Sequence, residues 1–127
     1  MIPKLTRSFK AAEDITGHLI ASFANAATDA TVGHAGANTE PLLGVFDAMG
    51  AKTGKMVDVH LAGEIDVRAG GTFPAGAPLT ADANGKAVLA APAAGTTVRV
   101  IGFAMAPAVA DDIVTVMLAP SILHTAA

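Results

Sequence analysis

Residues 63–88 read GEIDVRAGGTFPAGAPLTADANGKAV, and this stretch decides the fold class of the chain. Its first part alternates apolar Ile65 and Val67 with charged side chains, a period of two that is typical of a β-strand with one solvated face. Gly70 and Gly71 follow and allow backbone conformations that a side chain would forbid. The pattern predicts a strand that ends at a glycine corner.

The second part of the stretch predicts a short extended segment and a hairpin. Pro74 and Pro78 fix φ and lack amide hydrogens, which places their segment at an edge or corner of a sheet. Asn84-Gly85 is a strong hairpin signal, because both central positions of a type I′ turn have positive φ. None of these residue types performs chemistry, so the stretch indicates a shaped backbone and no active site.

Apolar runs separated by turn residues continue through the rest of the chain. No long segment shows the 3.6-residue period of a helix, and only residues 11–17 suggest one helical turn. The sequence therefore predicts an all-β protein, a small barrel or sandwich with long loops, in which residues 13–127 form a single domain. Pro120 is expected to end the last strand. The predicted strands outside the central stretch cover residues 18–23, 31–34, 42–46, 56–61, 97–105 and 113–118.

Two segments of the chain resemble each other. Residues 43–45 (LGV), a turn and residues 57–63 (VDVHLAG) parallel residues 101–103 (IGF), a turn and residues 114–120 (VTVMLAP), at offsets of 58 and 57. The similarity predicts two related strand-turn-strand units within one domain. Convergence on ordinary β patterning would produce the same similarity.

The composition points to association. Charged residues make up 15% of the chain, below the roughly 25% of an ordinary soluble domain. Part of the surface is therefore expected to lie against a partner, although a compact, alanine-rich monomer would have the same composition. Cysteine is absent, which excludes disulfides and thiolate metal sites. We find no apolar run long enough for a membrane span and no signal peptide, so we expect no membrane partner and assembly in the cytoplasm.

The first twelve residues form a distinct basic segment. Lys4, Arg7 and Lys10 precede the first acidic residue, whereas the remainder of the chain carries five basic and eleven acidic residues. The apolar residues Ile2, Leu5 and Phe9 recur at intervals of three and four, which would place them on one side of a helix or of an extended arm. Residues 1–12 are therefore predicted to be a docking arm, with a frayed terminus as the alternative. Three dispersed cations are too few for nucleic acid.

The sequence contains no catalytic, metal or cofactor motif. The four histidines have no metal-ligand spacing, and the carboxylate pairs Glu64/Asp66 and Asp111/Asp112 fit a wet strand face and a turn. We therefore predict a protein that is not an enzyme and has no cofactor. Lys86 lies near a hairpin tip, where lipoyl and biotinyl carrier domains hold their cofactor, so a carrier role is kept as an alternative.

Taken in order, several of these segments resemble the capsid decoration (cement) proteins of tailed bacteriophages. The resemblance covers about residues 42 to 120 and follows an ordered series of glycines and valines. Its segments are LGVF at 43–46, GKMVDV at 54–59, GEIDV at 63–67, AGG at 69–71, AGAPLT at 75–80, DANGKA at 82–87, IGFA at 101–104 and IVTVML at 113–118.

The resemblance implies a structural protein of the virion with a β-tulip-like fold. Relatives typically sit as homotrimers on the outside of the head, at three-fold and quasi-three-fold positions, and clamp neighbouring major capsid protein subunits. On this basis the arm residues Ile2, Lys4, Leu5, Arg7 and Phe9 are expected to bind the major capsid protein. The alternative is a head-displayed module that binds a receptor or a glycan, although the chain has neither Trp nor Tyr for sugar stacking.

Overall fold

The computed structural model describes residues 2–24, 27 and 30–127, with side chains described from residue 5 onward. These residues form nine β-strands and no helix, which confirms the predicted all-β class. The predicted helical turn over residues 11–17 is wrong, because Ala11 and Ile15 instead make isolated bridges to Val32 and Ala51. Residues 24–29, whose Ala, Asn, Thr and Asp side chains favour a loose connection, lie mostly outside the described residues. The strands are β1 (Ile2–Lys10), β2 (Ile20–Phe23), β3 (Val32–His34), β4 (Leu42–Phe46), β5 (Met56–Arg68), β6 (Pro78–Ala81), β7 (Ala87–Leu89), β8 (Thr97–Ala104) and β9 (Ile113–His124).

The strands form one strongly curled antiparallel half-barrel sheet. Its order is β3-β2-β4-β5-β9-β8-β6-β7, and β1 pairs with β5 beside this path. Two predicted strands, 56–61 and 64–68, are a single long strand that continues through Gly63 at a positive φ of 94°. Pro120 does not end β9, which pairs with β8 as far as His124. The register shifts between Val100 and Gly102, opposite Pro120, so the missing amide falls at an irregularity.

The predicted hairpin after β6 is present, but its turn is of another type. Only Gly85 has a positive φ (76°), and the Gly85 amide donates to the Asp82 carbonyl. This is a three-residue loop with a type I turn and a glycine bulge, whereas a type I′ turn would need positive φ at Asn84 as well. Asp82 selects it, since its carboxylate accepts hydrogen bonds from the Asn84 and Lys86 amides. Pro78 begins β6, which lies between β7 and β8 and not at the predicted sheet edge.

The chain is built from two equivalent repeats. The first repeat comprises residues 2–61 and the second comprises residues 62–124, so β5 ends one repeat and begins the other. An offset of 58 for β1, β2 and β4, with 57 for the first half of β5, converts pairings of the first repeat into pairings of the second. Three converted pairs show this: Phe9↔Val57 becomes Val67↔Val114, Ile20↔Val45 becomes Pro78↔Phe103, and Val45↔His60 becomes Phe103↔Met117.

Each repeat encloses its own apolar core. The core of the first repeat includes Phe9, Phe46 and Val59, and the core of the second repeat includes Val67 and Val116 at equivalent or neighbouring positions. The sequence predicted two related strand-turn-strand units. The structure confirms them and extends the equivalence to β1 and β2, and to β3, which matches β7 at an offset of 55.

Candidate interaction surfaces

The predicted docking residues lie on or beside β1. This strand pairs along β5 from Ile2↔Glu64 to Lys10↔Met56, so the basic segment is part of the sheet. Backbone positions of Ile2 and Lys4 belong to the strand, and their side chains lie outside the described part of the structure.

The described side chains of β1 divide between core and surface. Phe9 is buried and packs edge-to-face on Phe23, with ring centroids 6.0 Å apart. The Arg7 guanidinium lies 4.9 Å from the centre of the Phe9 ring, within cation–π range. Leu5 is 55% exposed. In the isolated chain, therefore, Phe9 anchors β1 while Leu5 and Arg7 are available to a partner.

A buried histidine on β5, His60, forms hydrogen bonds with β1 and with the residue that follows β4. Thr6 Oγ1 lies 2.8 Å from His60 Nδ1, and His60 Nε2 lies 3.0 Å from Asp47 Oδ1. His60 is 5% exposed, and its hydrogen bond lowers the pKa of the Asp47 carboxyl below its usual range. Sequence reasoning missed this trio, because its members lie 54 and 13 positions apart and no motif connects them.

The trio holds two strands and the turn after β4 together. Thr6 and His60 are direct cross-strand partners of β1 and β5, so the hydroxyl points at a neighbouring strand. Four surface grooves of the described residues are lined by other side chains. This arrangement therefore holds the N-terminal strand in the sheet.

The remaining histidines also have hydrogen-bond partners. His18 Nδ1 lies 3.2 Å from the Asp66 carbonyl oxygen, His34 Nε2 accepts from the Thr16 amide, and His124 Nδ1 lies 2.8 Å from Thr97 Oγ1. Among the described residues no three His, Asp or Glu side chains converge as metal ligands. No helix in the described part of the chain could cross a membrane.

Lys86, the alternative carrier residue, is held at the surface by Asp111. Its Nζ donates to Asp111 Oδ1 over 2.8 Å, and Arg68 donates to the Asp111 carbonyl oxygen over 2.9 Å. The hydrogen bond from Lys86 lowers the pKa of the Asp111 carboxyl. The ammonium group thus joins the β6–β7 hairpin to the β8–β9 turn.

Two grooves on the surface occupy equivalent positions in the two repeats. The larger, about 580 Å³, follows Thr72, Phe73 and Pro74 and faces Pro107 to Val109. Its counterpart, about 340 Å³, follows Asp14, Ile15 and Thr16 and faces Ala51 and Lys52. Both are open grooves beside the bridges between these segments, so they are products of the duplicated fold.

The outer face of β8 and β9 carries a cluster of exposed apolar side chains, which we call the β8–β9 patch. Its members are Phe103, Met105, Ile113 and Met117, each between 39% and 49% exposed. Phe103 and Met117 are direct cross-strand partners. Exposed apolar side chains grouped on one face of a sheet are typical of a protein–protein contact.

These features together define a structural β protein that acts through its surfaces. A sequence model of the phage cement protein family matches residues 15–118, which is most of the chain. The chain belongs to the phage cement protein family. Members of this family are structural and non-enzymatic, so this chain is a capsid-associated structural protein of the phage head. No curated protein matches the chain in sequence.

The fold also has a counterpart among solved structures. It is similar to the crystal structure of the head fiber gp8.5 N base in bacteriophage phi29, with a TM-score of 0.68 and 20% sequence identity. The match covers 94% of this chain and 98% of that chain. The two proteins therefore share the fold over almost their whole lengths.

Proposed function

We propose that this chain decorates the outside of the phage head as a homotrimer. It sits at three-fold and quasi-three-fold positions and stabilises contacts between major capsid protein subunits. The match of the cement family to residues 15–118 carries this proposal. The low charge content and the β8–β9 patch support it, since both fit a chain that buries surface against neighbours.

The N-terminal strand is the proposed contact with the major capsid protein. Leu5 presents an exposed apolar side chain, and Arg7 presents a cation that can pair with an acidic residue of the capsid. Ile2 and Lys4 occupy the same strand and extend this contact, while Phe9 holds the strand in place from the core. Three such contacts on one rigid trimer act at high effective concentration, so individually weak contacts suffice.

Purified chain mixed with undecorated heads tests the proposal. We expect the chain to sediment with the heads at a saturable ratio and to raise the temperature at which they rupture. Cryo-electron microscopy of the decorated heads should show density on the outer surface at the three-fold positions. A chain that stays unbound would overturn the proposal, as would binding to host cells or purified glycans with no binding to heads.

The docking strand is best tested by point substitution. Removing residues 1–10 would delete Phe9 from the core, so a truncated chain would lose stability as well as the contact. Leu5→Asp places a charge on an exposed position and should weaken head binding at least tenfold while the chain stays folded. Met49→Asp is the matched control, because Met49 is 90% exposed and lies outside β1. Equal head binding by both variants would contradict the proposal that β1 contacts the major capsid protein.

A further inference from the structure

The sheet of the first repeat has an inner face, which points to the core of its own repeat, and an outer face, which the second repeat covers. On β4, Phe46 points into the core of the first repeat, whereas the preceding residue, Val45, points into the core of the second. Ile20 on the neighbouring β2 does the same, and Leu42 packs against that core. The sheet of the first repeat therefore has an apolar cluster on each side, and the repeats stack front to back.

The equivalent outer face of the second repeat is only partly covered. Val45 corresponds to Phe103, which is 40% exposed, and His60 corresponds to Met117, which is 39% exposed. Leu123 at the end of β9 packs on Val100 and leaves the β8–β9 patch open. The centre of this face, at Val45 and His60, is thus buried in the first repeat, whereas its equivalents Phe103 and Met117 are partly exposed in the second.

The inner face of the first repeat is also partly open. Phe23, Leu43 and Leu61 pack against its core but remain half-buried. Their equivalents in the second repeat are fully buried, since the outer face of the first repeat lies over that core. These equivalents are Ala81, Ile101 and Leu118.

We propose that the β8–β9 patch of one copy covers the open inner face of the first repeat in the next copy. The contact reproduces between chains the front-to-back stacking that the two repeats show within a chain. Such a contact is head-to-tail, and it closes into a ring if the rotation per copy allows.

One detail differs between the stacking within a chain and the proposed contact between chains. Within the chain, the Ile20 amide donates to the Gly85 carbonyl over 2.8 Å. The residue equivalent to Ile20 is Pro78, which has no amide hydrogen. The contact between copies therefore depends on apolar packing of Phe103 and Met117 more than on backbone hydrogen bonds. The inference rests on the proposed trimer only for the number of copies in the ring.

Engineered cysteines test the contact directly, because the chain contains none of its own. Phe103→Cys and Leu43→Cys are each placed on one side of the contact. After mild oxidation, neither single variant should cross-link to itself, a mixture of the two should give covalent dimers, and the double variant should give species that stop at three chains. Met49→Cys paired with Leu43→Cys is the control and should give no such product.

Several outcomes would overturn the inference. Self-cross-linking of Phe103→Cys would show a two-fold contact between identical patches, and a monomer at all concentrations in sedimentation would show that no such contact exists. Phe103→Asp should convert the oligomer into a monomer that keeps its β-sheet circular dichroism, since the side chain is partly exposed. A wild-type monomer that still binds heads would overturn this inference and the proposed trimer but leave the proposed binding to the head standing, whereas a ring that does not bind heads would overturn the proposed binding and leave this inference standing.

Discussion

Asp111 occupies in the second repeat the position that Gly54 occupies in the first, and both have positive φ angles, 70° and 82°. A second pair shows the same relationship: His18, with φ of 63°, corresponds to Gly76, with φ of 83°. These are the two residues other than glycine with positive φ in the described chain, and each has a glycine counterpart. The duplicated backbone thus needs a left-handed residue at both positions, whatever the side chain.

Alanine at Gly54 or Gly76 should lower the free energy of unfolding by about 1 to 2 kcal/mol. A β-carbon at either position would meet no atom within 4 Å, so the loss comes from backbone conformation alone. Urea denaturation measures it. Gly71→Ala is the control, because Gly71 has no positive φ and its β-carbon would make an ordinary 3.8 Å contact with Val88. Equal stability of all three variants would contradict the assigned backbone requirement.

Alanine at Gly44 or at its equivalent Gly102 should be far more damaging. A β-carbon at Gly44 would collide with the His60 carbonyl oxygen, and one at Gly102 would collide with the Met117 carbonyl oxygen. Both neighbours are backbone atoms of a paired strand and cannot move aside without breaking the sheet. We expect a loss of about 3 kcal/mol or an insoluble chain for each variant. Thermal melting measures the loss. A mild effect at only one of the two sites would contradict the prediction that Gly44 and Gly102 are under the same steric constraint.

The sequence was enough to predict the fold class, because alternation and turn residues are local signals. The repeat was visible only around Gly44 and Gly102, where a close approach of strands leaves room for glycine alone. Elsewhere the two repeats use different side chains for the same backbone position, as Val45 and Phe103 do, so pairwise identity is lost. The equivalence of β1 with the second half of β5 could not be predicted, since one strand serves both repeats.

The candidate docking residues were harder to predict, because strand irregularity decides which side chains are exposed. The spacing of Leu5 and Phe9 suggested one common face. The register of β1 on β5 shifts on both sides of Leu5, and as a result Leu5 is exposed while Phe9 is buried. The β8–β9 patch carries an ordinary strand pattern in sequence. The exposure of Phe103 and Met117 follows from the absence of a further repeat over them within the described chain, since their equivalents Val45 and His60 are buried.

The His60–Asp47 contact should make stability depend on pH in the acid range. Hydrogen bonding to His60 lowers the pKa of Asp47 in the folded state, so the contact stabilises the protein above the ordinary aspartate pKa of about 3.9. That stability is lost as the pH falls through the lower folded-state pKa, where the carboxyl becomes protonated. Asp47→Asn should therefore lower the melting temperature at pH 6 and have a much smaller effect at pH 2. Thermal melts across this range measure the difference, and a pH-independent difference would exclude the carboxylate as its source.

Phe9 and Leu5 provide the sharpest separation of fold from function, because they share a strand and differ in burial. Phe9→Ala removes a buried ring that contacts Phe23 and Arg7, and it should lower the free energy of unfolding by about 3 to 5 kcal/mol. Leu5→Ala removes an exposed side chain and should change stability by less than about 0.5 kcal/mol. Phe9→Ala is thus expected to be the less stable variant. In head binding, measured below the melting temperature of both variants, Leu5→Ala should be the weaker binder. If Phe9→Ala bound more weakly than Leu5→Ala while still folded, the order of β1 in the sheet would matter more for docking than its exposed side chains.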